Sequence, residues 1–381
     1  MYLDYNATAP MRPEALKATY DALQAVGNAS SIHHHGRDAA SRVDLARRQL
    51  ADLLKCSPGE IIFTSGATEA NNLALQAAYV QRGLIITSAV EHPAVLETAR
   101  ALSGEASDAL ITLPVDSGGQ IDTDGLMATV RQHGAVLVSI MLANNETGVI
   151  TDLAPIVEAA HAVGALVHTD ATQYVGRLPL DLAALDVDLL SLSAHKFGGP
   201  QGVGALFLRR GTPLPQRPLV FGGGHERGWR AGTLNVPGIA GLGAAAEAAH
   251  QQLDNEASRV TKLRDLLEEE LLAQLPGIHI NGARVPRLPG VSSITFPGAP
   301  ADAVLSSMPD VAASDGSACS AGAPSPSHVL LAMGLSREAA DSTIRFSLGY
   351  ATTEQEMRRA IDATVRAVTH VQALMDATAN P

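Results

Sequence analysis

Between residues 61 and 208, short apolar runs alternate with helix-like stretches, and each run closes on polar or glycine residues. The runs are Ile61 to Thr64, Leu84 to Thr87, Leu110 to Leu113, Val136 to Met141, Leu166 to Thr169, Val187 to Leu192 and Gly204 to Leu208. Runs this short, bounded by breakers, read as strands covered on both faces. Strands that alternate with helices build a largely parallel sheet, because each crossover helix returns the chain to the same edge. The predicted fold class is therefore α/β, with about seven strands in a mainly parallel sheet. After Gln274-Leu275-Pro276-Gly277 the strands shorten, as in Val291 to Phe296, and a smaller α+β domain is expected. The division expected is a large domain over 13–250, with 1–12 and 251–381 forming the small one. Helices are expected over Pro13 to Val26, Arg37 to Leu54 and Val236 to Leu275, with a loop from Gly27 to Gly36.

A parallel sheet carries its reactive groups just past the strand ends. Ser65-Gly66-Ala67-Thr68 follows the first run, and a strand, glycine turn, hydroxyl and helix in that order form an anion site. The same residues also read as a helix cap. His92 follows the second run, before a helix opened by Pro93, where capping or packing is as good a reading as chemistry. Asn145 follows the fourth run, Asp170 and Gln173 the fifth, and Ser193, His195 and Lys196 the sixth. Strand ends on one edge let such residues converge. Lys17, Lys55 and Lys262 sit in charged, helix-like surroundings, whereas Lys196 is flanked by His195 and by apolar or glycine residues. Desolvation frees a lysine lone pair for Schiff-base chemistry, although a lysine after a strand is more often a surface charge.

Cys319 stands in Ser317-Ala318-Cys319-Ser320-Ala321-Gly322-Ala323-Pro324, a small-residue loop unlike the setting of a buried structural cysteine. Exposure and mobility suit a thiolate nucleophile. Cys56 reads as structural. Arg345, in the apolar run Ile344-Arg345-Phe346-Ser347, needs an anionic partner such as a carboxylate. His33, His34 and His35 are adjacent on a loop, a spacing that seldom converges on one metal ion, so no metal is expected. A formal charge of −12 without a basic run argues against nucleic acid or an anionic membrane surface. No stretch has the length of a membrane span, and Met1-Tyr2-Leu3-Asp4-Tyr5 lacks the form of a secretory signal. Two cysteines make no disulfide framework, so a cytoplasmic, reduced setting is expected.

Taken together, these stretches resemble the class V aminotransferase family, and more narrowly its NifS/IscS-type cysteine desulfurases. The resemblance runs through Tyr2-Leu3-Asp4-Tyr5-Asn6-Ala7-Thr8, Gly27-Asn28, Thr64 to Glu69, Glu91-His92, Ala143 to Gly148, His168 to Ala171, Ser193 to Lys196, Gly222 to Glu226, Gly316 to Cys319 and Ile344 to Ser347. It implies the fold of pyridoxal-phosphate transferases of the aspartate aminotransferase type. It also implies conversion of L-cysteine to alanine, with the sulfur left as a persulfide on Cys319 for an acceptor protein, possible destinations being iron–sulfur cluster assembly and other sulfur-transfer routes. By resemblance Lys196 holds pyridoxal 5′-phosphate as a Schiff base and then acts as base, and Asp170 pairs with the ring nitrogen. Gln173 and Asn145 bond the ring oxygen, and His92 stacks on the ring. Ala67, Thr68, Ser193 and His195 receive the phosphate, with Thr233 reaching across a homodimer to the neighbouring phosphate. Asn28 and Arg345 hold the substrate carboxylate. A selenocysteine lyase or another enzyme of the family is the alternative; the thiol at 319 speaks against transamination. This chain departs from the pattern at Ala29, at His34 and His35, and in the residues after Cys319.

Overall fold

A computed structural model describes residues 1–79, 83–104, 109–133, 137–315 and 326–379. The apolar runs are strands: β1 (Ile61–Thr64), β2 (Ile85–Ser88), β3 (Leu110–Leu113), β4 (Leu137–Ser139), β5 (Leu166–Asp170), β6 (Leu189–Ser193) and β7 (Gly204–Leu208). They form one sheet in the order β1-β7-β6-β5-β4-β2-β3. Only β7 runs against its neighbours; the other pairs along β6 to β3 are parallel, with Asp170 opposite Ser191 in the β5–β6 register. Successive residues of a strand face opposite ways. Ile61 and Phe63 accordingly enter one core with Leu50, Val138 and Leu190, while Ile62 enters another with Leu73, Ile85 and Leu206. Both faces are covered.

A second, wholly antiparallel sheet follows, with β8 (His279–Asn281), β9 (Val291–Thr295), β10 (Ser314–Asp315) and β11 (Thr343–Ser347) in the order β10-β11-β9-β8. Its core joins Ile294, Ile344 and Phe346 to Met357, Ile361 and Val368 of the last helix, Glu354–Ala379. Alternation turns Arg345 to the other face, toward the large sheet. Leu3 also packs in this core. The N-terminal segment is pinned there by bridges from Tyr2 to Ala312 and from Asp4 to Ser347. The Tyr5 ring fits because Gly349 has no side chain; a Cβ there would lie 2.0 Å from a ring carbon.

The helix Val236–Gln274 belongs to both cores: Ile239, Leu242 and Ala246 pack in the first, Val260, Leu263 and Leu267 in the second. The expected division at 250/251 falls inside it. A helix boundary is corrected. The second helix starts at His34, not Arg37, because His33 takes the cap position and its Nδ1 accepts from Gly36 N at 3.3 Å. A ring nitrogen here does what Ser or Asp usually does. Among the described residues no helix is long and apolar enough to cross a membrane, and no cluster of His, Cys, Asp and Glu is arranged to hold a metal ion.

Candidate active site

At the edge where β1, β2, β5 and β6 end, a cavity of about 360 Å³ opens. Thr68, His92, Asn145, Asp170, Gln173, His195 and Lys196, each placed past a strand end by the sequence, all line it, as do Ala67 and Ser193. The convergence follows from the topology: parallel strands deliver their C-termini to one edge.

The helix Ala67–Tyr79 starts at the cavity wall, and its first internal bond runs from Ala70 N to Gly66 O at 3.1 Å. The N–H groups of Ala67, Thr68 and Glu69 therefore have no partner within the helix, and the positive end of its dipole faces the same way. Thr68 is the second helical residue and not the cap; Gly66 precedes the helix. Glu69 Oε2 accepts from Ser65 N at 2.8 Å, and its Oε1 pairs with Arg230 Nε at 3.0 Å.

Asp170, at the end of β5, is buried. Its Oδ2 accepts from Asn71 Nδ2 at 2.7 Å and its Oδ1 from Thr172 N at 2.9 Å. Two residues earlier, His168 bridges Ser139 and Ser191 at 2.8 and 3.0 Å, tying β4, β5 and β6 together. Burial pushes its pKa down to about 4, against the pull of Asp170, so it is neutral. His92 caps its helix, Nδ1 accepting from Ala94 N at 3.1 Å, which leaves the ring proton on Nε2. Burial lowers the His92 pKa, Asp170 opposes that, and Lys196 and His328 add to it. His195 shares a hydrogen bond with Thr8 Oγ1 at 3.1 Å, and burial, then Lys196 and Arg177, push it down to about 4.

Lys196 Nζ donates to the carbonyl oxygens of Asn6 and Ala7 at 2.6 and 2.9 Å. Gln173 Nε2 donates to the same Asn6 oxygen at 3.0 Å. Gln173 Oε1, Thr172 Oγ1 and Asn71 Oδ1, all on cavity-lining residues, are buried without a hydrogen-bond partner among the described residues. Orphaned buried oxygens are rare and mark a place where a polar ligand completes the bonding.

Three candidates lie elsewhere. Asn28 is exposed in a turn, its Oδ1 accepting from Ser30 N at 2.9 Å. Thr233 is exposed and does not line the cavity. Arg345 is buried behind the cavity wall: Nη2 pairs with Asp4 Oδ1 at 2.7 Å and Nη1 donates to Asn145 O at 3.1 Å. Asp4 is thus its carboxylate partner within the chain. Cys319 lies outside the described residues; of those bordering that stretch, Ser314 pairs with Arg345 in β10–β11, and Ser327 Oγ donates to the buried carboxylate of Glu146. Cys56 is partly buried and its thiol is pushed up to about 12, chiefly by burial, which makes it inert at neutral pH.

Sequence reasoning passed over Asn6, Asn71 and Arg177. Asn71 had a readable signal, since it lies three residues beyond Thr68 and so shares its helix face. Asn6 and Arg177 had none, because their partners are remote along the chain.

The sequence of residues 1–359 matches the family model for class-V aminotransferases. The chain is 43% identical over 381 residues to a cysteine desulfurase from Cereibacter sphaeroides, covering 98% of this chain and 97% of that protein. It is 42% identical over 376 residues to the cysteine desulfurase IscS of Enterobacter sp. (strain 638), covering 97% and 91%. Its fold superimposes on a NifS-like protein from Rickettsia africae with a TM-score of 0.87 at 32% identity, over 96% of this chain and 99% of that one. With the likeness running from end to end and a lysine, a buried aspartate and a helix start set around one cavity, the chain belongs to the class-V aminotransferase family.

Proposed function

We propose that the protein is a cysteine desulfurase that converts L-cysteine to L-alanine and passes the sulfur from Cys319 to an acceptor protein. The observation that carries this reading is the convergence of Lys196, Asp170 and the start of helix Ala67–Tyr79 on one cavity, in a chain 43% identical to a cysteine desulfurase. The family depends on pyridoxal 5′-phosphate. The residues present fit that group: unpaired N–H groups suit a phosphate, a buried carboxylate suits a protonated pyridine nitrogen, and the orphaned oxygens of Gln173 and Thr172 suit further polar contacts. When bound, the cofactor supplies an electron sink for negative charge at the substrate Cα.

In this reading Lys196 would hold the cofactor, and its Nζ would take up the substrate Cα proton. Asp170 is oriented by its bonds from Asn71 and Thr172. Ala67, Thr68, Ser193 and His195 would hold the phosphate, Asn145 and Gln173 would contact the ring, and His92 would offer its Nε2–H to move a proton. By the family resemblance Arg345 and Asn28 would meet the substrate carboxylate, although neither lines this cavity, and Arg345 would have to exchange Asp4 for it. The Cys319 thiolate attacks the substrate sulfur: an S–S bond forms, the C–S bond breaks, and its electron pair returns to carbon to be protonated. One cysteine and one thiol thus give one alanine and one persulfide.

A homodimer completes the reading. Leu16, Tyr20 and Leu23 are exposed apolar residues on one face of the first helix, with Val26 and Ile32 exposed in the segment after it, and such side chains suit burial by a second copy. Thr233, exposed and outside its own cavity, would then serve the neighbouring copy. We take residues 13–250 as the cofactor domain, with 1–12 and 251–381 as the domain that brings Cys319. A reducing compartment such as the cytoplasm keeps that thiol available, and iron–sulfur assembly is one destination for the sulfur.

The test is release of alanine and sulfide from L-cysteine by the wild type, Cys319→Ala and Lys196→Ala, with the visible absorbance of the cofactor followed in each. Cys319→Ala keeps the colour and loses sulfide release, and Lys196→Ala loses the wild-type spectrum. Full activity in Cys319→Ala refutes the persulfide and leaves a selenocysteine lyase or another family reaction.

A further inference from the structure

The bonds around Asn6 serve Lys196 in a way the cofactor contacts do not explain. Its carbonyl and that of Ala7 accept from Nζ at 2.6 and 2.9 Å, and an ammonium has three N–H donors to spend on such oxygens. Asn6 is itself held on every side. Its N–H donates to Ser347 Oγ at 2.9 Å, its Nδ2 to Asn145 O at 2.8 Å, and its Oδ1 accepts from Arg177 Nη1. Arg177 Nη2 donates in addition to Tyr5 O at 3.2 Å and to the main-chain oxygen of Lys196 at 3.3 Å. One guanidinium therefore fixes both the backbone that carries the lysine and the backbone that receives its amine.

We propose that the Asn6 and Ala7 carbonyls are the docking site of the Lys196 amine whenever it is not bonded to cofactor, and that Arg177 is the residue that positions this dock. The proposal rests on the functional reading of Lys196 given above. Carbonyls that accept from an amine favour its charged form. The dock thus holds the proton that Lys196 takes up and keeps the amine beside the cavity during turnover. Gln173 Nε2 occupies a second position on the Asn6 oxygen, so the carbonyl stays aimed after the amine departs. Arg177 is half-buried, and desolvation, then the nearby Arg345, push its pKa down to about 10. A cation in that setting is retained by the oxygens it binds.

The test is competitive acetylation of the cofactor-free, full-length protein with acetic anhydride at neutral pH, read by peptide mass spectrometry. Lys17, Lys55 and Lys262 are exposed and serve as internal references. Arg177→Met and Asn6→Ala are expected to raise the Lys196 rate about tenfold against those references, with Arg177→Lys between them and the wild type. An unchanged relative rate at Lys196 in variants with a wild-type circular dichroism spectrum overturns the proposal, as does an equal rise at all four lysines. If Arg177→Met does not fold, Asn6→Ala and Arg177→Lys decide the outcome. A separate arm adds pyridoxal phosphate to the wild type. Failure to protect Lys196 there counts against the functional reading, while the variant comparison still judges the dock.

Discussion

Asn71 Nδ2 lies 2.7 Å from Asp170 Oδ2, joining the helix that follows the Gly66 turn to the buried carboxylate at the end of β5. A hydrogen bond to a charged group contributes about 1.5–3 kcal/mol. Asn71→Ala is therefore expected to weaken pyridoxal phosphate binding by about 10- to 100-fold, measured by absorbance titration of the cofactor-free protein. An unchanged dissociation constant would remove Asn71 from the site.

Gly204 on β7 packs against that same turn. A Cβ there would lie 2.5 Å from Leu192 O and 2.7 Å from Gly66 Cα, both main-chain atoms that cannot swing aside. Gly204→Ala is expected to displace the start of helix Ala67–Tyr79 and cost about 1–3 kcal/mol in urea unfolding. Inorganic phosphate is expected to raise the urea midpoint of the wild type and to raise that of Gly204→Ala less. Wild-type stability in Gly204→Ala would show that the close approach is not required.

The pair between Arg345 and Asp4 is largely sheltered from water, with side-chain exposures of 2% and 18%. Removing one partner of such a pair strands the other. Arg345→Ala is expected to cost about 3–5 kcal/mol in urea unfolding, and Arg345→Lys to recover only part because lysine lacks the fork. A loss below about 1 kcal/mol would mean that water reaches Asp4 freely.

Glu91 neighbours His92 but faces inward, its Oε1 accepting from Ser88 Oγ at 2.7 Å and Met141 N at 2.8 Å. Burial pushes it up to about 8 against those two bonds, and Asp170 adds to the rise. The folded protein therefore binds a proton here that the unfolded chain releases above its ordinary value of 4.5. This group's contribution is fully present below 4.5 and is lost as pH rises through 8. Glu91→Gln mimics the protonated acid, so its melting temperature should gain on the wild type as pH climbs through that window. A constant difference between the two melting curves would show that Glu91 is ionised in the native protein.

Much of the cavity lining was readable because strand positions are written in hydrophobicity. Lys196, Asp170 and His92 each follow an apolar run, and a parallel edge gathers whatever follows such runs. What escaped reading was support from afar. Asn6 meets Asn145, Arg177 and Lys196 only after the whole sheet has formed, so no local pattern announces it. His34 and His35 were placed in a loop because consecutive polar residues look irregular, and the capping power of a neighbouring imidazole has no periodicity. Arg345 was read as needing an anion, correctly in kind, but the presence of Asp4 341 residues away could not be inferred from spacing.

The helix Val236–Gln274, 39 residues and about 58 Å long at 1.5 Å per residue, bears on how the protein can be divided. Its two ends are rooted in different hydrophobic interiors, so a cut near residue 250 severs a continuous rod and leaves both halves with an unfilled groove. Neither half is then a module that evolution or an engineer can lift out by that boundary. That one rod ties the two sheets together.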